Sequence, residues 1–436
     1  MAKRLKMLML AALLAPAGAL WAQNGAIDAR TFDQLTKAQE LAAEDRHDDA
    51  LYILDRLKER GRLNSYATAQ LWNFYAFIYA SRDEYQQAID AYFKVMEQED
   101  APNGLVLTAK YTIAQLYFQM EQYGDCIRFM NEWLETADKP TPTAHIMLAQ
   151  AYYQTHEYDR AMTHVDDALA LERAAGNRVQ EGWLRLKAVL SYTKGDYAST
   201  AQTYEELISL YPNSTYLRQL AGMYSETGQG GERLAVFDAL YEHGALKTES
   251  DLLNLAYMWQ GEQVPYKAGR IIEQGMAKGA IEESPKNVES LANAWAQANE
   301  YEKAIPTLSK AAQISGDGLY YARLAGVHFN AGDYAAAAEA AIQADQQGGL
   351  KNPAGNLMLL GMAYFNDRKY EPALQAFRRA KQSRDTFASA NKWESYTLKE
   401  IERIRELSRS QDELEQRTRE AIESRENNLN AIGIGS

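Results

Sequence analysis

Leu357 to Phe377 reads LMLLGMAYFNDRKYEPALQAF. Its first half is apolar at helical spacing and carries Leu360-Gly361-x-x-Tyr364. Its second half carries Tyr370-x-x-Ala373-x-x-x-Phe377. Between them lies the polar stretch Asn366-Asp367-Arg368-Lys369. Two amphipathic helices joined by a short turn follow from this periodicity. Gly361 and Ala373 stand where the two helices come closest, and Leu360, Tyr364 and Phe377 fill the space around them.

The same figure recurs along the chain. A small residue of the second helix falls at Ala50, Ala88, Cys126, Ala161, Thr200, Ala268, Ala304, Ala337 and Ala373, at intervals of 38, 38, 35, 39, 68, 36, 33 and 36. The interval of 68 holds one more degenerate unit, around Leu234-Ala235. Three residues before most of these anchors stands a tyrosine, as at Tyr85, Tyr123, Tyr158, Tyr197, Tyr301, Tyr334 and Tyr370. Twelve before stands a small residue, from Ala38 and Ala76 through to Gly361. Nine before there is commonly an aromatic, as at Tyr79, Tyr117, Tyr152, Trp295 and Tyr364. Four columns agreeing over nine units predict ten helix pairs.

Leu360-Gly361-x-x-Tyr364 followed by Ala373-x-x-x-Phe377, in a unit of about 34 residues, resembles the tetratricopeptide repeat (TPR). The resemblance implies an all-α, right-handed α-solenoid of about ten such pairs, covering residues 31–380. Within it the units divide into an N-terminal array (31–212), a degenerate centre (213–284) and a C-terminal array (285–380). The centre departs from the pattern at Gly228-Gln229-Gly230-Gly231, which permits unusual backbone angles, and at Pro265, which stands in the tyrosine column. That makes the centre the expected hinge, against the plainer reading of a variable turn. Trp393, Tyr396, Leu398, Ile401, Ile404 and Leu407 share a helical face suited to cap the open end of an array. The capping and charged helix is placed at 381–428 and a disordered tail at 429–436.

Residues 1–22 read as a signal peptide. Lys3, Arg4 and Lys6 precede the apolar run Met7–Leu14, and Leu20-Trp21-Ala22 ends at a cleavage point before Gln23. Its removal takes the formal charge from −13 to −16. Such an acidic chain is unsuited to nucleic acid or anionic membrane surfaces. An exported, periplasmic protein is expected. The single cysteine, Cys126, falls at a small-residue anchor and reads as a buried, inert thiol.

No catalytic constellation emerges, and no cofactor is implied. The six histidines are scattered, with no His-Glu-x-x-His and no paired cysteines, so no metal site is expected. A phosphate-binding Gly-x-x-x-x-Gly-Lys is lacking, and the third glycine of a dinucleotide fingerprint is missing after Gly228-Gln229-Gly230.

The repeat resemblance implies a concave surface lined by the first helix of each pair. The candidate partner-binding residues on it are Phe77, Tyr111, Phe118, Gln150, Tyr153, Tyr192, Phe329, Met358, Met362 and Phe365. Rings and thioethers supply contact area and amides pair with a backbone, which suits an extended peptide or a partner helix. The alternative is that these rings pack within the superhelix. The lysines and asparagines with which chaperone-binding members clamp a carboxylate are missing. The layout of signal peptide plus array, with Pro265-x-Lys267-Ala268 at its centre, resembles TPR proteins that accompany the TonB–ExbB–ExbD system. That resemblance implies a periplasmic scaffold for envelope proteins, with TonB, ExbB or ExbD as partners. The other reading kept open is a factor bound to envelope polysaccharide or peptidoglycan.

Overall fold

The computed structural model describes residues 27–431. The signal-peptide reading of residues 1–22 and the tail beyond Ala431 lie outside the described residues. Every regular element described is an α-helix, and there are ten pairs followed by one long helix. The chain divides into two compact units, the first closing at Gln229 and the second opening at Gly230. The division lies within segment 213–284.

The first unit holds five complete pairs and one further helix. These are α1 (Ala29–Ala43) and α2 (His47–Glu59), α3 (Ser65–Ser81) and α4 (Tyr85–Met96), α5 (Asn103–Gln119) and α6 (Tyr123–Thr136). They continue with α7 (Pro142–Gln154) and α8 (Tyr158–Ala174), α9 (Glu181–Thr193) and α10 (Tyr197–Leu210), and then α11 (Ser214–Glu226). The second unit opens with α12 (Gly230–Glu242). It goes on with α13 (Glu249–Gly261) and α14 (Pro265–Ala277), α15 (Pro285–Gln297) and α16 (Tyr301–Ser315). Then come α17 (Gly318–Asn330) and α18 (Tyr334–Gln347), α19 (Pro353–Asn366) and α20 (Tyr370–Ala380), and finally α21 (Phe387–Ala431). Within each unit consecutive helices pack on one another.

The repeat columns are the core. All nine small anchors, Ala50 through Ala373, are completely buried. The small residues twelve positions earlier are buried too, from Ala38 and Ala76 at 0% exposure to Gly361. Small side chains at both positions, none larger than cysteine or threonine, let the paired backbones close, and larger neighbours such as Tyr92, Trp295 and Phe377 fill the flanks.

The turn inside each pair is built one way throughout. A residue with positive φ stands five positions before the anchor: Asp45, Asp83, Glu121, His156, Gly195, Gly228, Gln263, Asn299, Gly332 and Arg368. In the pair α19–α20, the Lys369 N–H donates to Tyr364 O at 2.8 Å and the Arg368 N–H to Phe365 O at 3.1 Å. The pattern repeats at Glu84 and Tyr79, Gln122 and Tyr117, Glu157 and Tyr152. These two reversed bonds satisfy the last carbonyls of the first helix and turn the chain into the second. The tyrosine column then supplies the first residue of α4, α6, α8, α10, α16, α18 and α20.

Most first helices start with side-chain caps. Asn64, Thr141, Asn213, Thr248, Ser284, Asp317 and Asn352 each accept a backbone N–H in the first turn of the helix that follows. Pro265 opens α14, where the missing N–H of proline is harmless. Lys267 of the same stretch is held by Asp238 at 2.8 Å and lies 4.0 Å above the Trp259 ring, which gives it a structural role.

At the degenerate unit around Leu234-Ala235, α12 buries Leu234 at 6% exposure. Two details differ from the sequence reading. The face of α21 that packs on α20 is Ala390, Trp393, Thr397 and Ile401, while Leu398, Ile404 and Leu407 are exposed. The reason is length: α20 spans 11 residues, so α21 outruns its support at Ile401, and Glu402 to Asn428 are exposed throughout. The helix also continues through residues 429–431, beyond the start of the expected tail, because no glycine interrupts it before Gly433.

Among the described residues, no helix is long and apolar enough to cross a membrane.

Candidate functional site

The candidate groove residues sit on first helices of both units. In the first unit these are Phe77 on α3, Tyr111 and Phe118 on α5, Gln150 and Tyr153 on α7, and Tyr192 on α9. In the second they are Phe329 on α17 and Met358, Met362 and Phe365 on α19.

Five of the rings share one arrangement. Each lies in the last turn of its first helix and meets the tyrosine that opens the second helix. Centroid distances are 5.4 Å for Phe118–Tyr123, 5.7 Å for Tyr153–Tyr158 and 5.7 Å for Tyr192–Tyr197. They are 5.4 Å for Phe329–Tyr334 and 5.3 Å for Phe365–Tyr370. The positive-φ turn brings residues five apart into steeply inclined ring contact, edge-on in three of the pairs and tilted in two, so these rings brace the turn. One side of each ring is therefore committed to the pair, and what remains for a ligand is the other side.

Exposure separates the candidates. Tyr192 is 55% exposed, and Val189 beside it on α9 is 43% exposed. Gln150 is exposed; Phe77, Tyr111, Phe118, Tyr153, Phe329 and Met362 are half-buried. Tyr111 rests on Trp133 of its own pair at 5.0 Å. Met358 is buried, at 9% exposure, and belongs to the packing of α19. Phe365 is half-buried too, with Trp393 at 5.4 Å and Tyr396 at 5.2 Å against it, because α21 folds back over the end of α19. Met358 is a core residue of the second unit, and Phe365 carries the contact to the capping helix. Exposed apolar side chains that the repeat columns did not single out are Tyr257 on α13, Val264 in the turn and Tyr266 on α14, each 40–45% exposed.

Two of the histidines are not scattered. His145 Nδ1 on α7 lies 3.1 Å from His164 Nδ1 on α8, and Asp167 Oδ2 lies 3.6 Å from His145 Nδ1. His164 stacks on Tyr152 with planes 3° apart and centroids 5.5 Å apart. Burial lowers the pKa of both imidazoles; the nearby Asp167 carboxylate pulls the other way, and His145 adds a further lowering at His164. Sequence reasoning missed this cluster because His145 and His164 are 19 residues apart and meet only when α7 and α8 pair. The one local signal was His164-x-x-Asp167, which puts two donor groups on one face of α8.

Cys126 is fully buried without a disulfide partner, and burial pushes its thiol up to about 12. It is an unreactive packing residue, as its anchor position implied.

No protein-family model matches the chain, and no curated protein matches it. Among solved structures it is similar to the MamA protein, at 19% identity over 41% of this chain and 92% of that one, with a TM-score of 0.34. It is similar to Naa15/Naa10 bound to HypK-THB, at 11% identity over 84% of this chain and 66% of that one, with a TM-score of 0.41. It is similar to a tetratricopeptide repeat protein from Parabacteroides merdae ATCC 43184, at 16% identity over 59% of this chain and 98% of that one, with a TM-score of 0.28. At such identities and scores nothing of those proteins' partners carries over, and the TPR-like fold stands on this chain's own helix pairs.

Proposed function

We propose that this chain is a non-catalytic scaffold that holds a segment of another protein against the first helices of its first unit. The observation that carries the reading is the set of ring faces along α5, α7 and α9. Phe118, Tyr153 and Tyr192 each use one side to brace a turn and leave the other partly open, with the exposed Gln150 amide between them. Val189 widens the apolar surface beside Tyr192. Rings already held by packing lose little freedom on binding, and an amide can pair with the backbone of an extended segment or with a helix side chain. The second unit is a poorer candidate on α19, since Met358 and Phe365 are taken up by packing.

The finer reading is that the scaffold is exported to the periplasm and serves the cell envelope, with components of the TonB–ExbB–ExbD system as its partners. It rests on the N-terminal sequence pattern and on the resemblance of the whole layout. N-terminal sequencing of protein recovered from the periplasmic fraction tests export; recovery only from the cytoplasm with Met1 retained removes it.

Photo-crosslinking in cells tests the surface. A photoreactive residue replaces Tyr153, and a control carries it at the exposed Glu135 of α6. A discrete protein adduct from position 153 and none from 135 is expected, and mass spectrometry identifies it. Equal adducts from both positions would refute the groove, and glycan adducts would transfer the function to envelope polysaccharide.

A further inference from the structure

We propose that His145, His164 and Asp167 form a binding site for one divalent first-row transition ion of the Zn²⁺ class, with its fourth position open to water or to a donor atom from outside the chain.

The site is assembled by the repeat itself. His145, Ala149 and Tyr152 lie on the face of α7 that packs on α8, at spacings of four and three residues. On α8, His164 and Asp167 lie one turn apart. Pairing the two helices sets the imidazole nitrogens 3.1 Å apart, and one ligand atom from each of the three residues falls within 4.8 Å of the others. A tetrahedral ion with bonds of about 2.0–2.1 Å holds neighbouring ligand atoms about 3.3 Å apart. The two nitrogens are therefore already at the separation the ion requires. Asp167 Oδ2, at 3.6 Å from His145 Nδ1, needs only a small side-chain adjustment, and its side chain is 49% exposed and free to make it.

The imidazoles are pre-positioned. His145 is 9% exposed, and the His164 ring is fixed by its parallel stack on Tyr152. Tyr152 is in turn placed by Asn131, whose Nδ2 donates to the tyrosine oxygen at 3.2 Å. Ligands oriented by packing and by outer hydrogen bonds lose less freedom on coordination. Two imidazoles with one carboxylate suit zinc and its neighbours in the first row better than magnesium or calcium, which prefer oxygen ligands. The competing state is a hydrogen bond in which one Nδ1–H donates to the other Nδ1, and an ion must displace that proton. Coordination would tie α7 to α8 and leave an open position on the exposed side, next to Asp167. The site is independent of the ring faces proposed above as a partner surface.

The test uses the full chain, stripped with a chelator and dialysed. Calorimetric titration with ZnCl₂ and visible absorption on titration with CoCl₂ should both report one ion per chain, with tetrahedral cobalt bands. His164→Ala should weaken Zn²⁺ binding at least about tenfold, while His156→Gln, which alters an exposed histidine outside the cluster, should leave it unchanged. Zn²⁺ should raise the melting temperature of the unaltered chain and not that of His164→Ala. Binding of equal strength in His164→Ala, or less than one ion per chain, overturns the site and leaves the hydrogen-bonded pair. Should His164→Ala fail to fold, Asp167→Ala decides: a severalfold loss of affinity supports the site, and an unchanged affinity overturns it.

Discussion

At Gly361 a hydrogen is all the space allows. A methyl group there would lie 2.5 Å from Cε1 of Phe377, well inside van der Waals contact. Phe377 cannot retreat, since it is fully buried and stacked on Trp393 at 5.5 Å. Gly361→Ala should therefore destabilise the protein by about 1–3 kcal/mol, read from urea unfolding. A second residue-scale prediction concerns the turns. Gly195 has φ +74° with open space around its Cα, so Gly195→Ala tests backbone strain free of any clash. A loss of about 1–2 kcal/mol is expected; no loss would show that this turn relaxes. Most of the equivalent turns carry ordinary residues at positive φ, such as Glu121 and Arg368, and hold them there by the paired reversed hydrogen bonds. The role of Gly361 could be read in the sequence by its column. The ring contacts of Phe365 with α21 could not, because Trp393 and Tyr396 reach it from an element beyond the repeats.

The element that behaves least like its neighbours is α21. Its first four turns are docked by Trp393 and by Glu394, whose carboxylate accepts from Arg378 Nε at 2.9 Å and Lys381 Nζ at 3.0 Å. Those two hydrogen bonds hold the Glu394 pKa below its ordinary 4.5. A carboxylate with a lowered folded-state pKa stabilises above its unfolded pKa, and the contribution is lost as pH falls through the folded value. Glu394→Gln should therefore cost about 1 kcal/mol at neutral pH, and the difference from the unaltered chain should shrink as pH is lowered below about 4. Thermal melts of both proteins over that range check it; a difference constant with pH would mean the cost lies in packing. Past Ile401 every residue through Asn428 is exposed. Removing residues 408–436 should leave the melting temperature unchanged, whereas removing everything from Phe387 uncovers Phe365 and Phe377 and should lower it. The charged, sparse composition after Ser408 made the projection readable. The docked face was misjudged at Leu398, Ile404 and Leu407, since helical periodicity tells which residues share a face and not where the supporting helix ends.

At the scale of the molecule, the exposed run from Ser225 to Glu232 joins the two units. If the centre is the hinge its glycines suggest, a glutamate-specific protease should cut the native chain first at Glu226 or Glu232. Early cleavage at exposed glutamates within the pairs, and none here, would remove that reading. The anchor columns, the number of pairs and the buried thiol of Cys126 were determined by the sequence alone, because each repeat packs on its neighbours and so writes its contacts at fixed local spacing. The tertiary structure alone decided three things: that the row of rings braces its own turns, that α21 covers Phe365, and that His145 meets His164. Each depends on which faces of two helices meet at the end of a stack or across a pair. That meeting is set by the packing of whole helices: His145 and His164 are 19 positions apart and Phe365 and Tyr396 are 31, so neither contact leaves a local mark, while the ring pairs are only five apart and it is the positive-φ turn that decides which way they face.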